Sequence, residues 1–160
     1  MKESDPPALG LGWRAIRLMN RSLAKVAKPW RRKGDLVLAL TTRGRKTGRP
    51  HVTPLQYERV NDLIYVAAAR GQQADWFRNI MACPEVEIEI EGDRFLAQAE
   101  PITDPVQIAD FLELRLERHP KMIRAMLLLH GLSLQLQPDR EQLEQLAKKF
   151  ALVALRPLDG

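Results

Sequence analysis

Between Leu36 and Ile102 the chain reads as five short strands separated by turns, and that rhythm limits the folds open to it. The runs are Leu36 to Thr42, Val52 to Val60, Leu63 to Ala69, Val86 to Ile90 and Phe95 to Ile102. In the fourth, Val86, Ile88 and Ile90 alternate with Glu87, Glu89 and Glu91, which predicts a half-buried strand with an acidic outer face. Asn61-Asp62 supplies one tight turn, since both residues tolerate positive φ, and Gly92-Asp93 supplies another. Strands joined this tightly run antiparallel, so the expected fold class is α+β with an antiparallel barrel or sandwich rather than a doubly wound sheet. A closing strand is expected at Phe150 to Leu155, before Pro157.

Helices are predicted around this sheet. Ala74 to Ala82 reads as a short helix ended by Pro84. Thr103 or Asp104 caps a helix with Pro105 at its first position, running to about His119, where Pro120 interrupts. A second helix carries Met122, Ile123, Met126 and Leu127 to Gly131, and a third starts near Asp139 and carries Leu143 and Leu146. The nearly all-round apolarity of Met122 to Leu129 suits core packing, with a lipophilic pocket or a subunit contact as a second use. Residues 1–35 separate as a tail and a basic amphipathic helix. In that helix Leu11, Ile16, Met19, Leu23 and Val26 oppose Arg14, Arg17, Arg21, Lys25 and Lys28, between Trp13 and Trp30. It either packs on the domain with a solvated basic face, the favoured reading, or rests peripherally on an anionic membrane. Residues 36–160 form the main domain, with residues 104–149 as a helical insert.

The 160 residues suit one domain with a real core, and a net charge of +5 points to an anionic partner. A single cysteine, Cys83, excludes an internal disulfide and fits a reducing compartment. With no spanning apolar run and no signal-like leader, the expected location is cytoplasmic, with peripheral contact at the membrane through the first helix as the alternative. His51, His119 and His130 share no short spacing, and no acidic or thiol partner is placed beside them, so no metal site is expected.

Chemistry concentrates at the first hairpin. The stretch Thr41-Thr42-Arg43-Gly44-Arg45-Lys46-Thr47-Gly48-Arg49-Pro50 places four cations, two glycines and three threonines between two strands. Glycine turns let backbone N–H groups converge, and neighbouring Arg and Lys add charge and forked donors, a combination that suits phosphate or polycarboxylate. Gly48-Arg49-Pro50 also echoes a minor-groove hook, but here it joins two strands, so nucleic acid is not an expected partner.

This stretch, continued by Pro50-His51-Val52-Thr53-Pro54-Leu55, resembles the signature of deazaflavin-dependent nitroreductases. A second segment strengthens the resemblance: Val66-Ala67-Ala68-Ala69-Arg70-Gly71, then Trp76-Phe77-Arg78-Asn79-Ile80 and Cys83-Pro84-Glu85-Val86. The resemblance covers roughly Leu36 to Ala99 plus the closing strand. It implies a flavin-binding split β-barrel of about six strands, with coenzyme F420, a deazaflavin bearing a phosphate and an oligoglutamate tail. The implied activity is hydride transfer to a small lipophilic acceptor such as a quinone, an enone or a nitro compound. FMN is the alternative cofactor, and a non-catalytic carrier of lipid, haem or flavin is the rival of another class.

Carried onto this chain, the resemblance puts Arg45, Lys46 and Thr47 on the phosphate and tail. His51, where the family often has arginine, would make a weaker and pH-dependent contact. Pro54, Leu55 and Gln56 would line the strand beneath the ring. Ala68 and Ala69 would let the ring pass close, and Arg70 and Gly71 would meet its edge or the phosphate. Trp76 and Asn79, three apart on one helix face, would close the pocket. No catalytic residue is assigned. Two departures stand out: a short linker from Gly71 to Trp76, and tyrosines (Tyr57 and Tyr65) that lie early in the chain rather than in its C-terminal part. The family contains monomers and dimers, and the sequence does not choose.

Overall fold

In the computed structural model, residues 37–68, 70–131 and 138–158 are described. The helix expected at Leu11 to Pro29 and the site residue Ala69 lie outside them.

Six antiparallel strands close into a barrel: β1 (Val37–Arg43), β2 (Pro50–Val60), β3 (Leu63–Ala68), β4 (Glu85–Ile90), β5 (Asp93–Ile102) and β6 (Ala151–Pro157). Around the barrel the order is β1-β2-β3-β6-β5-β4, with β4 returning to β1. Turn chemistry fixes the hairpins. Asn61 takes φ of 54° between β2 and β3, and Glu91 and Gly92 take 52° and 94° between β4 and β5. The second of these turns therefore begins one residue earlier than expected, and Asp93 is already in β5. Closure rests on the short β1–β4 ladder, which aligns Ala39, Leu40 and Thr41 with Glu89, Ile88 and Glu87.

The two faces of this sheet carry separate cores. Leu38, Leu40, Ile64, Val66, Ala68, Val86, Ile88, Ala97, Ala99, Val153 and Leu155 point inward and fill the barrel. On the outside, Tyr65, Ala67, Ile102 and Leu152 receive the helices α2 (Pro105–Arg118), α3 (Pro120–Leu129) and α4 (Arg140–Ala147). Sandwiched between the two cores, Ala151 to Leu155 of β6 are buried on both faces. Asp104 caps α2 by accepting from the Val106 amide, with Pro105 at its first position, and Asp139 caps α4 through the Gln142 amide.

Two expectations change. The acidic face of β4 is only partly open to solvent: Glu87, between Thr41 of β1 and Leu96 of β5, is 4% exposed, Glu89 is half-buried and bound by Arg94 at 2.7 Å, and Glu91 in the following turn is exposed. The apolar run Met122 to Leu129 is not buried all round either. Ile123 and Leu127 enter the outer core and Met122 and Met126 flank it, while Leu128 and Leu129 are exposed. A helix three turns long can turn only one stripe toward its sheet.

Helix α1 (Asp75–Ala82) follows β3 through a single 3₁₀ turn, Gly71–Gln73, and packs across β1 at the end of the barrel that carries the β1–β2 hairpin tip. Its buried face, Trp76, Phe77, Asn79 and Ile80, joins the barrel core. Gly71 makes this approach possible. It holds φ of 62°, and a Cβ there would lie 2.9 Å from the Lys149 carbonyl oxygen. Among the described residues, no helix is long and apolar enough to cross a membrane.

Candidate functional site

Where α1 crosses the hairpin tip, a cleft of about 430 Å³ opens. The tip supplies Gly44, Arg45, Lys46 and Thr47, strand β2 supplies His51, Val52 and Thr53, and α1 supplies Asp75, Trp76 and Asn79. The tip closes on itself, the Gly44 amide donating to the Arg49 carbonyl at 2.7 Å and the Gly48 amide to the Gly44 carbonyl at 2.8 Å. Gly48 is left-handed, and a Cβ on Gly44 would lie 2.8 Å from His51 Nε2 and 3.0 Å from Thr47 Oγ1. The missing side chain at Gly44 therefore lets His51 and Thr47 close over the turn.

Asn79 fixes the tip to the barrel. Its Nδ2 donates to Thr42 Oγ1 of β1 at 3.2 Å, and its Oδ1 accepts from the Arg45 amide at 3.2 Å and from Arg45 Nη1 at 2.8 Å. Asn79 and Thr42 are both buried, so the bond between them forms away from water, where leaving it unmade is costly. The Arg45 guanidinium also reaches Asp75, Nη1 to its carbonyl at 3.4 Å and Nη2 to Oδ1 at 3.1 Å. The hydrogen bond and charge of Arg45 hold the Asp75 carboxyl below its ordinary range. Arg45 is thus a bridge between tip and helix, with both terminal nitrogens engaged within the protein. Lys46, by contrast, is exposed at the rim, with no acidic partner among the described residues.

Of the residues expected to hold a coenzyme, the fold brings Arg45, Lys46, Thr47, His51, Trp76 and Asn79 to this cleft. The others among the described residues do not line it. Pro54 and Gln56 are exposed on β2, and Leu55 between them packs against the barrel core. Ala68 points into the barrel, opposite Ala151. Arg70 is exposed ahead of the 3₁₀ turn, and Gly71 is buried against Lys149. Four lining residues are not among those expected to hold a coenzyme: Gly44, Val52, Thr53 and Asp75. Asp75 is the one with a readable signal, an acid at the first position of a helix, where the macrodipole favours it. Among the described residues no cluster of His, Cys, Asp and Glu is arranged to hold a metal.

A small closed antiparallel barrel whose mouth is covered by a helix and rimmed by a cationic hairpin has the architecture of a split β-barrel. The same fold recurs in solved structures: HutZ, the heme storage protein from Vibrio cholerae, has a TM-score of 0.54 at 20% identity, with 88% of this chain and 90% of that chain covered. The conserved hypothetical protein Rv2991 from Mycobacterium tuberculosis has a TM-score of 0.54 at 19% identity over 85% and 83%. At the level of sequence, residues 14–125 match the F420H(2)-dependent quinone reductase family, and this chain belongs to that family. An F420H(2)-dependent quinone reductase of Mycobacterium tuberculosis is 37% identical over 68 residues, 41% of this chain and 46% of the relative. The chain therefore spans about half the length of the curated relatives it matches.

The residues at the cleft suit the group that the family name implies. Lys46, the Thr47 hydroxyl and His51 are donors suited to phosphate or carboxylate oxygens, while Trp76 and Val52 add apolar wall.

Proposed function

We propose that this protein binds reduced F420 at the cleft between the hairpin tip and α1, and passes a hydride to a small lipophilic acceptor of the quinone class. The observation that supports this most is the meeting, in a chain of this family, of the two sequence signatures at one place. Residues 45–47 and 51 come from the first, residues 76 and 79 from the second, and they line a single cleft.

Once bound, F420 supplies the redox chemistry, and the protein contributes position and shelter. Lys46 neutralises the anionic tether, and Thr47 adds a hydroxyl donor. Asn79 keeps the tip from opening by holding Arg45 against the barrel. Trp76, 8% exposed and edge-on to Phe77, gives the cleft a wall that excludes water. The proton that accompanies reduction is assigned to no side chain.

Titrating the protein with F420, FMN and FAD while following fluorescence quenching tests the cofactor. Micromolar F420 binding is expected, and FMN binding with none of F420 would sink the assignment. Lys46→Ala removes one charge-assisted contact and should weaken F420 binding about tenfold. Stopped-flow oxidation of F420H2 by a soluble quinone then separates an enzyme from a carrier.

A further inference from the structure

We infer that Asp75 restrains anion binding in the coenzyme cleft: its carboxylate competes with incoming anions for the Arg45 fork. The inference deepens the proposed function and takes its ligand, F420, from that reading.

Arg45 carries two kinds of partner. Asn79 is 3% exposed and is itself tied to Thr42, so its hold on the Arg45 amide and Nη1 cannot be released without stranding buried polar atoms. Asp75 is different. Its side chain is 80% exposed, it meets Arg45 Nη2 at 3.1 Å, and it can rotate into water at little cost. An anion arriving in the cleft therefore finds a guanidinium fixed in position by Asn79 but already half satisfied by a carboxylate. Taking over Nη2 means displacing Asp75, whose charge stays nearby because α1 is packed on the barrel. A singly charged anion gains one contact and meets that repulsion. A ligand with several negative charges gains Lys46 and the tip donors as well, and offsets it. The affinity of the cleft is then set by a built-in repulsive element as well as by attraction.

The opposite role is physically reasonable: Asp75 could orient Arg45 and so strengthen ligand binding. Calorimetric titration of the full chain with F420 and, separately, with inorganic pyrophosphate distinguishes the two. Asp75→Asn keeps the side chain's shape and should tighten both ligands about fivefold, while Asp75→Glu should stay within about twofold of the parent. In an Arg45→Ala background the gain from Asp75→Asn should shrink, because there is no fork left to compete for. Unchanged or weaker binding in Asp75→Asn, or a full gain persisting without Arg45, overturns the inference. A parent protein that binds pyrophosphate but not F420, with Asp75→Asn still tighter for pyrophosphate, sinks the coenzyme reading and upholds this one. Absence of binding by both ligands to both proteins overturns the two together. Asp75→Asn should melt cooperatively near the parent's temperature, which verifies that the fold is intact.

Discussion

Asn79 joins three hydrogen bonds in one amide: it accepts twice from Arg45 and donates once to Thr42. Replacing it with Ala leaves the buried Thr42 hydroxyl and the Arg45 amide without that partner, which should cost about 2 kcal/mol of stability in urea unfolding. F420 affinity should fall as well, because the tip loses its anchor. Stability lost with unchanged affinity would mean that Asn79 serves the barrel alone. The i, i+3 spacing of Trp76 and Asn79 puts both on one face of a predicted helix, and that much is legible in the sequence. The partners of Asn79 are not, since Thr42 and Arg45 lie 37 and 34 residues away and meet it only once α1 is packed on β1. Gly71 shows the same limit. A glycine before a helix reads as a turn, but what it makes room for is the carbonyl of Lys149, far along the chain.

At the scale of elements, the join between α2 and β2 rests on Glu58. This carboxylate points out of the barrel and is 3% exposed, yet three cationic or potentially cationic groups converge on it. Arg115 Nη1 lies at 2.9 Å, His119 Nε2 at 3.3 Å, and Arg118 donates to the other oxygen. Arg115 is itself buried, beside Met122 Sδ and over the Phe111 ring. Burial pushes the Glu58 carboxyl upward, but the Arg118 hydrogen bond and the charge and hydrogen bond of Arg115 outweigh it, so its pKa lies below the ordinary value. The sign of the linkage follows. With the folded pKa lowered, the unfolded chain takes up the proton first, so Glu58 contributes full stability above the ordinary carboxylate range. That contribution fades as pH falls through the lowered value. Glu58→Gln should cost about 3 kcal/mol at pH 7, since it leaves Arg115 buried without its counter-charge. The parent and variant stabilities should converge as the pH is taken below about 4. A constant difference from pH 7 to pH 3 would show that the charge is not what matters. The strands and helices themselves were readable because alternation, caps and turn residues are local signals. Glu58 was not, because an acid at an alternating position reads as solvent-facing until a helix is seen to cover it.

At the scale of the molecule, one sheet serves two cores. β6 turns Ala151, Val153 and Leu155 into the barrel and Leu152 toward α2, α3 and α4, so neither core can open without disturbing a strand of the other. The strand count and antiparallel class could be inferred from the sequence. The closure of β4 onto β1, and the docking of three helices on the outside of the barrel, could not be, since both depend on pairings between distant segments. The physical consequence is cooperativity: insert and barrel should unfold as one unit. Leu127, fully buried between α3 and its neighbours, is the place to test it. Leu127→Ala should cost about 3 kcal/mol, from lost burial and the cavity left behind. Because the cores share β6, the loss should appear as one calorimetric transition at lower temperature. Hydrogen exchange should then be faster through global opening in β1 and β4 as well as in α3, although Leu127 is not part of the barrel core. If only α2, α3 and α4 exchange faster while β1 and β4 keep their protection, the helices are a separately melting layer.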